Sequence, residues 1–188
     1  MASLRKAGAY SKRYARPYTR VSRKRTKNFI KSTPQSKLVK FNMGDTKGHK
    51  LKKYDTLIKV VSEEKLQIRD NALEATRQSI QRKLDKNIPG QYYFRIKVFP
   101  HHMLRENKML TGAGSDRMQT GMQKSFGKTI GRAAIINKNQ EIVGVETTGD
   151  KQIKFVKSVF KAIKSKLPGK IEIRVEKIKN DKKNISGN

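Results

Sequence analysis

The chain has 188 residues, enough for one domain with an extension, and its 45 Lys and Arg against 15 Asp and Glu give a formal net charge of +30. A compact domain with that charge repels itself, so a polyanion is the expected partner. A membrane span is excluded because no stretch approaches the roughly 20 consecutive apolar residues that a spanning helix needs, and the absence of cysteine excludes a disulfide framework and a thiolate metal site.

Residues 1–37 are predicted to form a basic arm. The first acidic residue is Asp45, and a run of like charge cannot fold alone. Three interpretations are open: an arm ordered by phosphates, a disordered solvated tail and an organelle transit peptide. The transit peptide is disfavoured because the apolar residues have no sustained helical period. The interleaved rings of Tyr10, Tyr14 and Tyr18 favour the arm, because rings can stack on bases.

After the arm, the sequence has the pattern of a folded domain. Apolar stretches at 38–41 and 57–61 predict two strands. A helix is predicted over 70–86, because Asp70 is a suitable N-cap and apolar residues recur along one face. Pro89-Gly90 then ends the helix.

The next predicted strand, 91–99, alternates between apolar and polar residues. Its apolar positions face one side of a sheet, and Arg95 and Lys97 face the other. This pattern predicts a half-buried strand whose outer face is basic. The apolar positions are Tyr92, Phe94, Ile96 and Val98.

Three strands and a helix complete the domain. Strands are predicted at 130–136 and 141–147, joined by 137–140, whose sequence Asn-Lys-Asn-Gln predicts a hairpin turn. The most regular helix is predicted over 150–167, and a last strand over 170–176. This helix has lysines around an apolar face that a protein core would bury, so it does not indicate a membrane surface. The apolar face consists of Ile153, Val156, Phe160, Ile163 and Leu167.

The order of the elements predicts an α+β fold with a single domain over residues 38–178. Two helices are expected on one side of a mixed or antiparallel sheet layer. The extended basic N-terminal arm precedes this domain, a long internal loop at 100–129 interrupts it, and a polar C-terminal tail at 179–188 follows it. We expect no homo-oligomer.

The internal loop has no usable period, and loops of this length are either functional or disordered. It is rich in Gly and Met, which permit close backbone approach and repacking against an irregular surface. Phe126-Gly127-Lys128-Thr129 is similar to the end of a phosphate-binding loop, but the earlier glycine of that motif is displaced by one residue, and a strand follows.

Two histidines and the few carboxylates of the chain are the other candidates for chemistry. His101-His102 is a poor metal site because neighbours on an extended chain point to opposite faces, which leaves base stacking or simple packing as their roles. No pair of carboxylates suggests general acid–base catalysis. We therefore expect no enzymatic activity, no cofactor and no metal.

The internal loop carries a resemblance to a known family. The sequence NKMLTGAGSDRMQTGM at 107–122, followed by SFGK at 125–128, resembles the signature of the large-subunit ribosomal protein family called L-sixteen in bacteria and L-ten-e in archaea and eukaryotes. NALEATR at 71–77 and FRIKVFPHH at 94–102 are also similar to family motifs. The resemblance covers nearly all of residues 10–178. The cysteines and longer tail of eukaryotic members are missing and bacterial members are shorter, which favours an archaeal-type member.

The resemblance implies a function in translation. Family members sit on 23S-type rRNA at the base of the central protuberance, near the 5S rRNA and neighbouring large-subunit proteins. Their internal loop reaches toward the peptidyl transferase centre and the acceptor ends of A- and P-site tRNA. The implied location is the cytoplasm, bound to ribosomes. A free-standing nucleic-acid-binding protein is the alternative, and an RNA-modifying enzyme is disfavoured because no catalytic pair is found.

The predicted contacts with RNA come from the arm, the basic strand face and the internal loop. The residues assigned to rRNA are Arg5, Arg13, Arg16, Arg20, Arg23, Arg25, Arg95, Lys97, Arg105, Lys108, Arg117, Lys124 and Lys128. The loop residues expected nearest to tRNA are Met109, Gly112, Gly114, Met118 and Gln119.

Overall fold

In the computed structural model, which describes residues 33–106 and 128–178, eight strands form two antiparallel sheets that share one core with the helices. In chain order the elements are β1 (Asn42–Gly44), α1 (Thr46–Lys50), β2 (Thr56–Ser62), β3 (Leu66–Arg69), α2 (Asp70–Asn87), β4 (Tyr92–Ile96), β5 (His102–Glu106), β6 (Lys128–Ile136), β7 (Glu141–Thr147), α3 (Asp150–Ile163), a 3-10 turn (Lys164–Lys166) and β8 (Ile171–Lys177). The predicted α+β class with antiparallel strands is confirmed.

The large sheet has five strands in the order β1-β4-β7-β2-β8, and the small sheet has three in the order β3-β6-β5. The strands therefore form two sheets, where the sequence predicts one layer. The turn at 137–140 shows why. It joins β6 of the small sheet to β7 of the large sheet, so the prediction of a hairpin there is wrong. Asn139 has a φ of 63°, as a tight turn requires, but this local geometry does not determine which strands pair.

The core lies between the inner faces of the sheets and the two long helices. In the large sheet, Ile58 is opposite Val145, which is opposite Phe94 on the next strand, and all three are fully buried. Helix α3 covers β2 and β7, whereas α2 packs against α3, β4 and the small sheet. Burying these apolar residues supplies the main driving force for folding.

Both long helices are close to their predicted ranges. Helix α3 ends at Ile163, and the 3-10 turn completes the predicted 150–167 segment. Helix α2 begins at Asp70, but its N-cap is Arg69, so Asp70 is not the cap. The buried residues of α3 are Val156, Val159, Phe160 and Ile163, and the apolar ones of α2 are Leu73, Ile80 and Leu84.

Strand boundaries differ more from the prediction. The strand predicted at 38–41 is displaced to Asn42–Gly44, although the Phe41 carbonyl still accepts a hydrogen bond from the Ile96 amide at 2.8 Å. The segment predicted as the internal loop begins and ends in strands, because β5 and the start of β6 fall inside it. Three consecutive residues of β5 are buried, from His102 to Leu104. A strand without alternation cannot be recognised by its period.

Candidate nucleic-acid interface

The small sheet is the attachment point of the internal loop. Strands β5 and β6 pair antiparallel, with Glu106 opposite Lys128 and Arg105 opposite Thr129. Two of the predicted RNA-binding residues, Arg105 and Lys128, thus lie at the same end of this hairpin, where the segment 107–127 is inserted. Lys128 is exposed and Arg105 is half-buried, so both cations are close to the start of the loop.

The end of the predicted arm is tied to the same region by two hydrogen bonds. Arg132 of β6 donates from Nε to the carbonyl of Pro34 at 2.7 Å. The Lys37 amide donates to Oδ2 of Asp70 at 3.0 Å, while Oδ1 of the same carboxylate accepts from the Asn71 amide at 2.8 Å. The buried Asp70 therefore fastens the chain to the first turn of α2. The sequence predicts Asp70 only as an N-cap, because the Lys37 amide that it binds is distant in sequence.

A small crevice of about 50 Å³ lies between this tether and the small sheet. Its walls bring together cationic side chains from the arm's end, β3 and β6. The lining residues include Lys37, Arg69, Asn71, Leu104 and Arg132. The two segments with predicted RNA contacts are thus anchored on one part of the molecule.

The strand face that carries Arg95 and Lys97 is less basic than the sequence predicts. On the outer side of the large sheet, Lys97 Nζ is hydrogen-bonded to Glu141 Oε2. Lys59 Nζ lies 2.8 Å from Oε1 of Glu141 and 2.5 Å from Oε1 of Glu176. Cations and anions alternate across this face, so the charge of Lys97 is largely balanced in place. Arg95 is exposed, and within residues 33–106 and 128–178 it makes no ion pair.

The ionisation of Glu141 reflects these contacts. Partial burial alone would raise the pKa of the Glu141 carboxyl, but hydrogen bonds from Lys59 and Lys97 outweigh it and hold the pKa below its ordinary value. The hydrogen bond to Glu141, followed by the one to Glu176, raises the pKa of Lys59. Glu141 and Lys59 are therefore charged at neutral pH. We name the patch formed by Lys59, Lys97, Glu141, Glu172, Arg174 and Glu176 the charge-balanced face.

A stripe of exposed lysines runs along α3. They recur every three or four residues, which places them on one side of the helix, opposite the buried residues. Asp150, in the first turn, is the acidic residue of the helix. The stripe consists of Lys151, Lys154, Lys157, Lys161 and Lys164, none of which was among the predicted RNA-binding residues. Their spacing along an exposed helix face was visible in the sequence, but lysines on such a face are commonly only solvated.

An open groove of about 770 Å³ lies on the surface of α2, and Lys166 of the 3-10 turn lines it as well. Lys166 donates to Ser79 Oγ across this groove. Arg77 is held by Glu74, with Nε 2.8 Å from Oε2 and Nη2 2.6 Å from Oε1, so its charge is already paired. The exposed cations of the groove are Arg82, Lys83 and Lys166. A surface with this excess of positive charge suits a polyanion.

An aromatic row lies between β4 and β5. The rings of Phe41 and Phe99 are stacked with centroids 5.4 Å apart, and the ring of His101 lies 4.5 Å from that of Phe99 at an angle of 47°. His101 is exposed, whereas His102 is buried. Burial, together with the charge of Arg105, lowers the pKa of His102, so this ring is packed in its neutral form.

The described part of the chain contains neither a cluster of metal ligands nor a membrane-spanning helix. Residues 33–106 and 128–178 contain no group of three or more metal-ligating side chains. They also contain no helix long and apolar enough to cross a membrane. The remaining predicted site residues lie outside the described ranges: Arg5, Arg13, Arg16, Arg20, Arg23, Arg25, Lys108, Met109, Gly112, Gly114, Arg117, Met118, Gln119 and Lys124.

Comparison with known proteins agrees with the resemblance seen in the sequence. The family model described as "Ribosomal protein L16p/L10e" matches residues 17–174. "Large ribosomal subunit protein uL16" of Hyperthermus butylicus is 39% identical over 94% of this chain and 96% of its own length. The proteins of the same name from Metallosphaera sedula (39% identical, 83% and 88% covered) and Staphylothermus marinus (40% identical, 88% and 89% covered) are similar in extent. The chain therefore belongs to the ribosomal protein L16p/L10e family of archaeal type, and it is a structural protein of the large ribosomal subunit, bound to ribosomes in the cytoplasm, and not an enzyme.

Proposed function

We propose that this protein binds large-subunit rRNA of the 23S type near the central protuberance and the 5S rRNA, and that its internal loop helps to position A- and P-site tRNA. Neighbouring large-subunit proteins complete its surroundings. The chemistry of peptide-bond formation belongs to the rRNA, so the role of the protein is to hold RNA in place.

The anchoring of both basic segments on the small sheet is the observation that carries the proposal. The hydrogen bonds of Arg132 and Asp70 fix the end of the arm, and the β5–β6 hairpin fixes both ends of the internal loop. A rigid base of this kind allows an extended loop to reach a distant RNA site while the arm binds phosphates nearby.

The electrostatics support binding through phosphates. Each phosphate neutralised by a Lys or Arg releases counterions and adds roughly −0.7 to −0.9 to the slope of log affinity against log salt. The α3 stripe and the groove at Arg82 supply such cations within the described residues. The charge-balanced face supplies few, so we expect it to contribute little to phosphate binding.

The test is sedimentation of a cell lysate in sucrose gradients at physiological and then at high salt, with an antibody against this chain. We expect co-migration with large subunits and whole ribosomes, and release only at high ionic strength. Recovery as free protein at physiological salt, together with equal affinity for duplex DNA and rRNA, would instead indicate a free-standing nucleic-acid-binding protein.

The position near tRNA has a separate test. Fe(II)-EDTA tethered to a single cysteine at position 112 should cleave tRNA acceptor ends and rRNA of the peptidyl transferase centre in assembled subunits. A cysteine at Lys138, at the far end of β6 from the loop, is the matched control. Equal cleavage patterns from both positions would contradict the proposed direction of the loop.

A further inference from the structure

Within the aromatic row, Phe41 packs against the hydrophobic core, whereas Phe99 and His101 are at the surface. The exposed fraction of Phe99 is 42%, and His101 is exposed as well. Their immediate neighbours Val98 and Pro100 are buried. Because inward and outward positions alternate along this segment, the rings of Phe99 and His101 both lie at the surface. Contact of the apolar Phe99 ring with water is unfavourable.

Backbone hydrogen bonds hold the segments that carry these rings in place without a partner. The His101 amide donates to the Phe99 carbonyl at 3.0 Å, which closes a three-residue turn around Pro100. The proline ring restricts the turn further. Phe41 is held from the other side, since its carbonyl accepts from the Ile96 amide of β4 at 2.8 Å. The stacked contact with Phe41 also restricts the ring of Phe99, so a ligand that stacks here loses less free energy in ordering this side chain.

The surroundings favour a nucleic-acid ligand. Lys40 is exposed and precedes Phe41 in the chain, and Arg95 is an exposed cation of β4, the strand that leads to Phe99. The row also lies immediately before β5, the strand that leads into the internal loop. Rings fixed beside cations are the usual means by which proteins bind unpaired bases. Bases within a duplex are already stacked on each other, so only an unpaired base offers a free face.

We propose that an unpaired nucleobase of RNA stacks on the exposed part of this row, formed by Phe99 and His101. The proposal rests on the rRNA-binding function above and names a contact within it. Stacking does not discriminate strongly between bases, because every base has a flat face, so the site selects an unpaired base rather than a sequence.

The probes should differ in the base alone. We suggest an RNA hairpin with a loop of adenosines, and the same hairpin with abasic loop nucleotides, which has the same phosphates. Full-length protein should bind the adenosine hairpin about tenfold more tightly, since one stacked base contributes on the order of 1–3 kcal/mol. The ratio of the two dissociation constants removes the large phosphate contribution of the arm.

Four variants test whether the aromatic row causes this difference in affinity. Phe99→Leu and His101→Ala, each made alone, should bring the ratio of the two dissociation constants close to one. Phe99→Tyr and His101→Phe should preserve the ratio because an aromatic ring remains. Thermal unfolding of each variant verifies the fold. Lys157→Ala, on α3, should weaken binding of both hairpins and leave the ratio unchanged.

Three results would overturn the proposal, and they differ in meaning. A ratio of one for the unaltered protein shows that no base is stacked. A ratio that survives Phe99→Leu and His101→Ala assigns the stacking to other rings of the chain. If neither hairpin binds at physiological salt, the proposed rRNA-binding function fails as well.

Discussion

At the scale of single residues, charged side chains in this protein have two kinds of neighbours. Asp70, Glu141 and Arg77 are occupied by hydrogen bonds inside the fold, whereas the lysines of α3 face solvent. The acidic residues, few in this chain, are thus used mainly to fix cations or backbone groups. This division makes the consequences of individual substitutions predictable.

Asp70→Ala should destabilise the domain by about 1–3 kcal/mol, because two part-buried backbone amides lose their hydrogen bonds to a charged acceptor. Both the Lys37 amide and the Asn71 amide lose a partner. Chemical denaturation of the full chain measures the loss, and Glu63→Gln, at an exposed position, should change stability by less than about 0.5 kcal/mol. Equal effects of the two substitutions would show that the tether contributes nothing.

Glu141 should make stability depend on pH in the acidic range. Its pKa is lower in the folded protein than the ordinary value of 4.5, so folding favours the ionised form. The contribution is fully present above pH 4.5 and is lost as the pH falls through the lower folded value. Unfolding curves between pH 3 and 7 should show that Glu141→Gln is less stable than the parent chain at pH 7, by an amount that shrinks on acidification. A difference independent of pH would contradict the ion-pair assignment.

At the scale of elements, regular periods were predictable from the sequence and pairing between strands was not. The apolar positions of α3 recur at helical spacing. The predicted inward positions Tyr92, Phe94, Ile96 and Val98 are all buried, although Tyr93 between them is buried as well. Strand β5 has three consecutive buried residues and therefore has no alternating pattern by which the sequence could have indicated a strand. The placement of β6 and β7 in different sheets depends on contacts distant in sequence, which a local turn pattern cannot specify.

The candidate site was likewise predictable from the sequence only where it depends on local features and not on long-range contacts. The placement of Arg105 and Lys128 at one end of a hairpin depends on β5, which the sequence did not indicate, but the charge of the loop and arm was accessible from the sequence. The pairing of Lys97 with Glu141 was not, because these residues are brought together only by neighbouring strands β4 and β7. The aromatic row combines Phe41 with Phe99 across the same kind of long-range contact.

The lysine stripe of α3 should contribute to the salt dependence of rRNA binding as a unit. Replacing Lys157, Lys161 and Lys164 by Ala keeps good helix formers at exposed positions. It should make the slope of log affinity against log salt shallower by about 2 to 3 if all three cations neutralise phosphates. Filter binding to 23S-type rRNA at several salt concentrations measures the slope. Lys97→Ala should change it much less because Glu141 already pairs with Lys97, and similar changes in both variants would argue against the stripe.

At the scale of the whole molecule, the domain and the internal loop should be separable. Strands β5 and β6 are paired up to Glu106 and Lys128, so the domain closes its own hairpin without help from the segment between them. Loops contribute to stability mainly through a closure entropy that varies slowly with length. Folding and tRNA handling are therefore expected to respond differently to changes in the loop.

Replacing residues 107–127 by Asn-Gly, a sequence suited to a two-residue hairpin turn, tests this separation. The shortened chain should unfold within about 1 kcal/mol of the parent and should still bind rRNA through the arm and the α3 stripe. Subunits that contain it should bind P-site tRNA less tightly, as measured by filter binding. Loss of folding in the shortened chain would mean that the loop is part of the core, and unchanged tRNA binding would contradict the proposed role of the loop.

The charge-balanced face also has a consequence for the approach to a partner. Because Lys59, Lys97 and Arg174 are matched there by Glu141, Glu172 and Glu176, the excess of positive charge lies elsewhere, and the molecule has an electric dipole as well as a net charge. In the field of a polyanion this dipole experiences a torque, which acts within about one Debye length, roughly 10 Å at 0.1 M salt. The protein would thus be turned with its cationic side forward during the last part of its diffusion, before any hydrogen bond or stacked base selects the final position.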